Sequence, residues 1–103
     1  YEFSLFSEFA SKVEAIDYSM KHLKDWMKPE NRKTNKPMNL LGGKGQVRYF
    51  PKGVVGIISP WNLPFGLTVA PLTSALAAGN RALLKPSEYV PETAALFAEV
   101  VPK

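Results

Sequence analysis

Two short stretches of this 103-residue sequence carry side chains suited to holding a ligand. The first, Ser59 to Asn62, places an indole and a carboxamide immediately after the apolar run Val54, Val55, Gly56, Ile57, Ile58. The second, Pro86 to Glu88, follows Lys85 and puts a carboxylate three residues after that ammonium. An ammonium and a carboxylate can share the hydroxyls of a ribose, one donating and the other accepting, and the backbone turn at a helix start can approach a pyrophosphate. The same residues admit a plainer reading, in which Asn62 caps the following helix and Lys85 and Glu88 are surface charges. Spacing alone leaves the two level.

Other chemistry is excluded or unsupported. With no cysteine, this stretch holds no disulfide, thiolate zinc site or cysteine nucleophile. The cluster Gly42, Gly43, Lys44, Gly45 resembles a phosphate loop but lacks the earlier glycine and the following Ser or Thr that the pattern needs, so it is expected to be a flexible turn. His22 lies off the apolar stripe of its helix and is expected to be an exposed residue with no role. The net charge of +4 comes largely from Lys21, Lys24, Lys28, Arg32, Lys33 and Lys36. No aromatic-rich basic strand or recognition helix accompanies them, which argues for a solvated face and against a nucleic-acid partner. No run of about 18 apolar residues suggests a membrane span, and a cytoplasmic setting is the default expectation.

The elements that must position the two loops follow from periodicity. Phe6, Phe9, Val13, Ile16, Met20, Leu23 and Met27 recur at spacings of three and four and predict an amphipathic helix over 3–28, with acid-first pairs Glu8 with Lys12 and Asp17 with Lys21 on its wet side. Residues 31–45, rich in Asn, Lys, Pro and Gly, predict a loop. Residues 46–50 alternate as a strand, and a bend at Pro51, Lys52, Gly53 leads into a second strand to Ser59, which suits a parallel sheet covered on both faces. Phe65 to Ala78 predicts a helix that packs through Leu67, Ala70, Ser74 and Ala77 and ends at Gly79 and Asn80. Arg81 to Lys85 is the next strand, and Pro91 to Val101 the next helix. Residues 53–101 therefore form a βαβα unit. The expected fold is α/β and doubly wound, built on a parallel βαβ motif, with the N-terminal amphipathic helix packed on it. Both loops then leave the carboxyl edge of the sheet, where ligands bind in such folds.

The stretch PKGVVGIISPWNLPF from Pro51 to Phe65, with Pro71, LAAGN from Leu76 to Asn80 and LKPSE from Leu84 to Glu88, resembles the aldehyde dehydrogenase superfamily. The motifs fall in order and at matching separations, including 23 positions from Asn62 to Lys85, and cover about Val47 to Val101. Trp26, Met27, Lys28, Pro29 and the Ser-Pro-Trp-Asn form of the core motif look closest to the class 3, fatty and coniferyl aldehyde dehydrogenase branch.

That resemblance implies oxidation of an aldehyde to a carboxylic acid with NAD or NADP. It assigns Asn62 as the side-chain donor that holds the oxyanion, Ile58, Ser59, Pro60 and Trp61 as the stretch lining the cofactor, and Lys85, Ser87 and Glu88 as the group around its adenosine ribose. It also implies that all 103 residues are part of one partial Rossmann-like cofactor-binding domain, that residues 46–50 belong to an oligomerisation arm, and that the complete protein is a homodimer. The family's catalytic cysteine and glutamate have no counterpart here, so the chain alone is expected to be inactive. It opens at Tyr1 without methionine and stops at Lys103 while a helical pattern is running, and both ends are expected to be cuts, with the remainder of the same polypeptide as the necessary partner. The competing reading is a non-catalytic remnant or interaction module that keeps the scaffold.

Overall fold

Apolar residues repeating every three or four positions wind into α1 (Glu2–Trp26) in the computed structural model, which describes residues 2–101. The helix closes two residues before the predicted end, and Met27 continues only as a turn, its N–H donating to the Leu23 carbonyl at 3.0 Å. The stripe meets the rest of the fold through Phe9, whose ring stacks on Phe65 with centroids 4.1 Å apart, while Phe6, Val13, Met20 and Met27 stay exposed. The expected pairs Glu8 with Lys12 and Asp17 with Lys21 are not among the ion pairs of the described residues. His22 has neighbours that the periodicity did not show: it stacks on Tyr18 and Trp26, and Nδ1 lies 2.8 Å from the Tyr18 carbonyl.

The predicted loop at 31–45 is partly strand. β1 (Glu30–Arg32) and β2 (Gly45–Val47) pair antiparallel, Glu30 opposite Val47 and Arg32 opposite Gly45. β1 consists of the exposed polar residues Glu30, Asn31 and Arg32, so no hydrophobic alternation announced it. β2 also stops short of the predicted 46–50, because its antiparallel partner begins only at Glu30, opposite Val47, and leaves Arg48, Tyr49 and Phe50 nothing to pair with.

β-Branched residues between two prolines form β3 (Val54–Ile58), followed by α2 (Pro64–Ala77), β4 (Arg81–Lys85) and α3 (Pro91–Val100). β3 and β4 pair in parallel, from Val54 opposite Arg81 to Ile58 opposite Lys85, which is the expected βαβ crossover of a partial Rossmann-like α/β fold. α2 ends in a Schellman motif: Asn80 N–H donates to the Ala75 carbonyl at 3.0 Å and Gly79 N–H to Leu76 at 2.9 Å. That geometry needs the left-handed backbone of Gly79, at φ 77°. Asn80 then ties the sheet entry, its Oδ1 accepting from the Lys52 and Gly53 N–H groups at 2.6 and 3.1 Å.

Two packing expectations are corrected. The buried side of α2 runs through Thr68, Leu72 and Ala75, while Leu67, Ala70 and Ser74 face outward. A threonine can sit inside here because its hydroxyl is satisfied by the Pro64 carbonyl, at 2.6 Å, and by Ser59. Among the described residues the sheet is also covered on one face rather than two. Ile57 is buried on the α2 side, whereas Val54, Leu83 and Ile58, the last 80% exposed, stand on the bare face.

Candidate active site

Ile58 and Lys85 are register partners at the carboxyl ends of β3 and β4. The ladder runs one step further, Ser59 N–H donating to the Lys85 carbonyl at 3.2 Å. Both predicted loops consequently leave the same edge of the sheet. They touch across it: Trp61 and Tyr89 meet edge to face, with ring centroids 5.9 Å apart and planes at 84°.

The predicted residues divide by orientation. Ser59 and Ser87 are turned into the protein, at 4% and 7% exposure. The Ser59 hydroxyl lies 2.7 Å from Thr68 Oγ1. Ser87 Oγ accepts from the Tyr89 N–H at 3.3 Å, and its carbonyl accepts from Val90, so this serine builds the turn into α3. Pro60 is half-buried beside them. Ile58, Trp61, Asn62, Lys85 and Glu88 are exposed. Ile58 and Lys85 share the bare face of the sheet, as the period of two along adjacent strands requires.

Lys85 Nζ lies 3.0 Å from Glu88 Oε2. A hydrogen bond from its own backbone N–H, and next the Lys85 ammonium, hold the Glu88 carboxyl below the ordinary carboxylate range. The pair is solvent-exposed, so as a stability element it counts for little. Its chemical interest is that ammonium donors and carboxylate acceptors lie within reach of one sugar ring.

Asn62 does not cap α2. The cap position belongs to Leu63, in a left-handed conformation with φ 49° and ψ 52°, and its side chain offers no hydrogen bond. Pro64 has no N–H, and the Gly66 N–H donates at 2.6 Å to Oε1 of Glu8, contributed by α1 from 58 residues away. This arrangement makes the start of α2 a poor seat for a pyrophosphate. A carboxylate already occupies that position, and two anions there would repel.

Four residues that matter to this geometry had no individual signal in the sequence. Thr68, at 1% exposure, anchors Ser59 from one element over. Tyr89, which directly follows the LKPSE stretch, is the aromatic that Trp61 meets. Glu8 and Gly66 act as a pair, and only the missing side chain at Gly66 hinted at a close approach. Among the described residues, no group of three or more His, Asp or Glu side chains is arranged to hold a metal ion, and no helix is long and apolar enough to cross a membrane.

Comparison with known proteins agrees with the motifs. Residues 2–103 match the model of the aldehyde dehydrogenase family. The chain is 46% identical over 98 residues to a probable coniferyl aldehyde dehydrogenase of Caulobacter vibrioides, covering 94% of this chain and 20% of that protein. It is 41% identical over 97 residues to aldehyde dehydrogenase family 3 member B1 of Rattus norvegicus, with 94% and 20% covered. The solved substrate-bound state of Staphylococcus aureus AldH aligns with a TM-score of 0.80 at 39% identity, over 87% of this chain and 19% of that one. The chain spans about a fifth of the length of these relatives. The chain belongs to the aldehyde dehydrogenase family, within the branch of the class 3 and coniferyl enzymes.

Proposed function

We propose that the complete polypeptide oxidises an aldehyde to its carboxylic acid with NAD or NADP, and that this chain supplies the oxyanion donor and part of the cofactor site. The observation that carries this reading is the exposed Asn62 amide, left out of helix capping, on the same sheet edge as the Lys85–Glu88 pair. Addition of a nucleophile to an aldehyde puts negative charge on the carbonyl oxygen. Asn62 Nδ2–H donates to that oxygen, a contribution of about 3 to 4 kcal/mol in sites of this kind. The bound dinucleotide supplies the hydride acceptor. Lys85 and Glu88 hold its adenosine ribose through the hydroxyls, Ile58 and Trp61 offer apolar surface to it, and Ser59, Pro60 and Ser87 shape the two turns from within. The nucleophile and the base that activates water come from the remainder of the polypeptide, since this chain has no cysteine.

All 103 residues belong, in this reading, to one cofactor-binding domain. The exposed Tyr49 and Phe50 that follow β2 support an oligomerisation arm over 46–50 and a homodimer. The experiment is direct: the complete polypeptide should reduce NAD or NADP when given an aldehyde and release one acid per cofactor reduced. Absence of reduction across aromatic and aliphatic aldehydes would favour the non-catalytic alternative.

A further inference from the structure

We infer that Glu8 is a positioning residue for the reaction, acting through Asn62 by capping α2 in its place. A helix start leaves N–H groups without partners, and the usual remedy is a Ser, Thr, Asp or Asn at or next to the cap. Here the cap residue is Leu63, which has no polar side chain, and Asn62 precedes it. With no other partner, the nearest carboxamide would be drawn back onto the helix. The Glu8 carboxylate lessens that demand by taking the Gly66 N–H at 2.6 Å, and the favourable field at a helix N-terminus strengthens the bond.

Three further features show that the contact is built in. Gly66 is buried, and a Cβ there would come 2.9 Å from Lys12 Cε and 3.0 Å from Glu8 Oε1, so the glycine makes room for the two α1 side chains. Phe9, one residue along α1, stacks on Phe65, one residue before Gly66. The left-handed Leu63 between Asn62 and Pro64 turns the chain sharply, so a shift at the start of α2 passes directly to Asn62. α1, which contributes none of the predicted site residues, thereby fixes the direction of the amide.

The inference rests on the oxyanion role proposed for Asn62, and the test separates the two. In the complete polypeptide, Glu8→Ala should lower kcat about tenfold, as expected when a positioned group loses its alignment, with both KM values within about twofold of the parent. Glu8→Gln, whose amide oxygen still accepts from Gly66, should recover most of that rate. Gly66→Ala gives the same reading should Glu8→Ala fail to fold, since it displaces the carboxylate while adding a better helix former. Introduced into Asn62→Ala, Glu8→Ala should cost no further rate. Full turnover per folded molecule in Glu8→Ala and Gly66→Ala would overturn the inference, and a slow Asn62→Ala beside them would leave the Asn62 role standing. Equal losses on both backgrounds would also overturn it, because Glu8 would then act by another route. Full turnover in Asn62→Ala alone would remove the oxyanion role and, with it, this one.

Discussion

The hydroxyls of Ser59 and Thr68 lie 2.7 Å apart in the interior, one at the end of β3 and the other on the buried side of α2. Thr68 has a single hydroxyl proton, and the Pro64 carbonyl, 2.6 Å away, can only accept. Thr68 therefore donates to Pro64 and accepts from Ser59. Thr68→Val keeps the shape and leaves the Ser59 hydroxyl buried without a partner, a loss of about 1 to 3 kcal/mol. Replacing both, as Ser59→Ala with Thr68→Val, should restore much of that stability. Denaturant melts of the complete polypeptide would show it; two independent, additive losses would mean the hydroxyls do not depend on each other.

Lys85 and Glu88 lead to a second expectation, in binding rather than stability. Lys85→Ala should raise KM for the cofactor well above any change in KM for the aldehyde. The Glu88 carboxyl, held low by its own N–H and by Lys85, should titrate below an ordinary glutamate in carbon-13 NMR, and Lys85→Ala should move it part of the way back. The sign follows from the depressed value: the contribution of the charged pair is present above the unfolded carboxylate pKa and is lost as pH falls through the folded one. Cofactor binding should thus weaken on the acid side and be flat near neutrality. A cofactor KM indifferent to Lys85 would contradict the ribose assignment.

The parts of this fold that could be read in advance were those with local causes. A repeat of three and four announced α1, a β-branched run between prolines announced β3, and Gly79 with Asn80 marked the end of α2. β1 escaped because Glu30, Asn31 and Arg32 are exposed polar residues, which leave no periodic trace. The face of α2 was misjudged because Thr68 looks polar until Ser59 and Pro64 satisfy it. Asn62, Lys85 and Glu88 were visible as chemistry, but the roles proposed for them came from the ordered motifs around them. The link from Glu8 to Gly66 crosses 58 residues, and no window along the chain contains both ends.

Exposed apolar surface leads to a third expectation. The described residues have a radius of gyration of 18.9 Å, against about 13 Å for a compact domain of 100 residues. Val54, Leu83 and Ile58 stand uncovered on one face of a two-stranded sheet, and much of the α1 stripe is bare. Such a chain expressed by itself should aggregate or exchange its amide protons quickly. A sharp, cooperative melt of a monomer would contradict this and mark residues 1–103 as an autonomous domain.

The most direct test of the account is the steady-state rate of Asn62→Ala in the complete polypeptide, measured beside its melting temperature. A donor aimed at the developing oxyanion acts on the transition state far more than on the neutral aldehyde. Because Leu63 and Glu8 already occupy the start of α2, removal of the Asn62 amide should leave the melt nearly unshifted. The loss of kcat should be roughly a hundredfold or more, with KM for the aldehyde nearly intact. A lowered melting temperature with full turnover per folded molecule would contradict it and make Asn62 a structural residue.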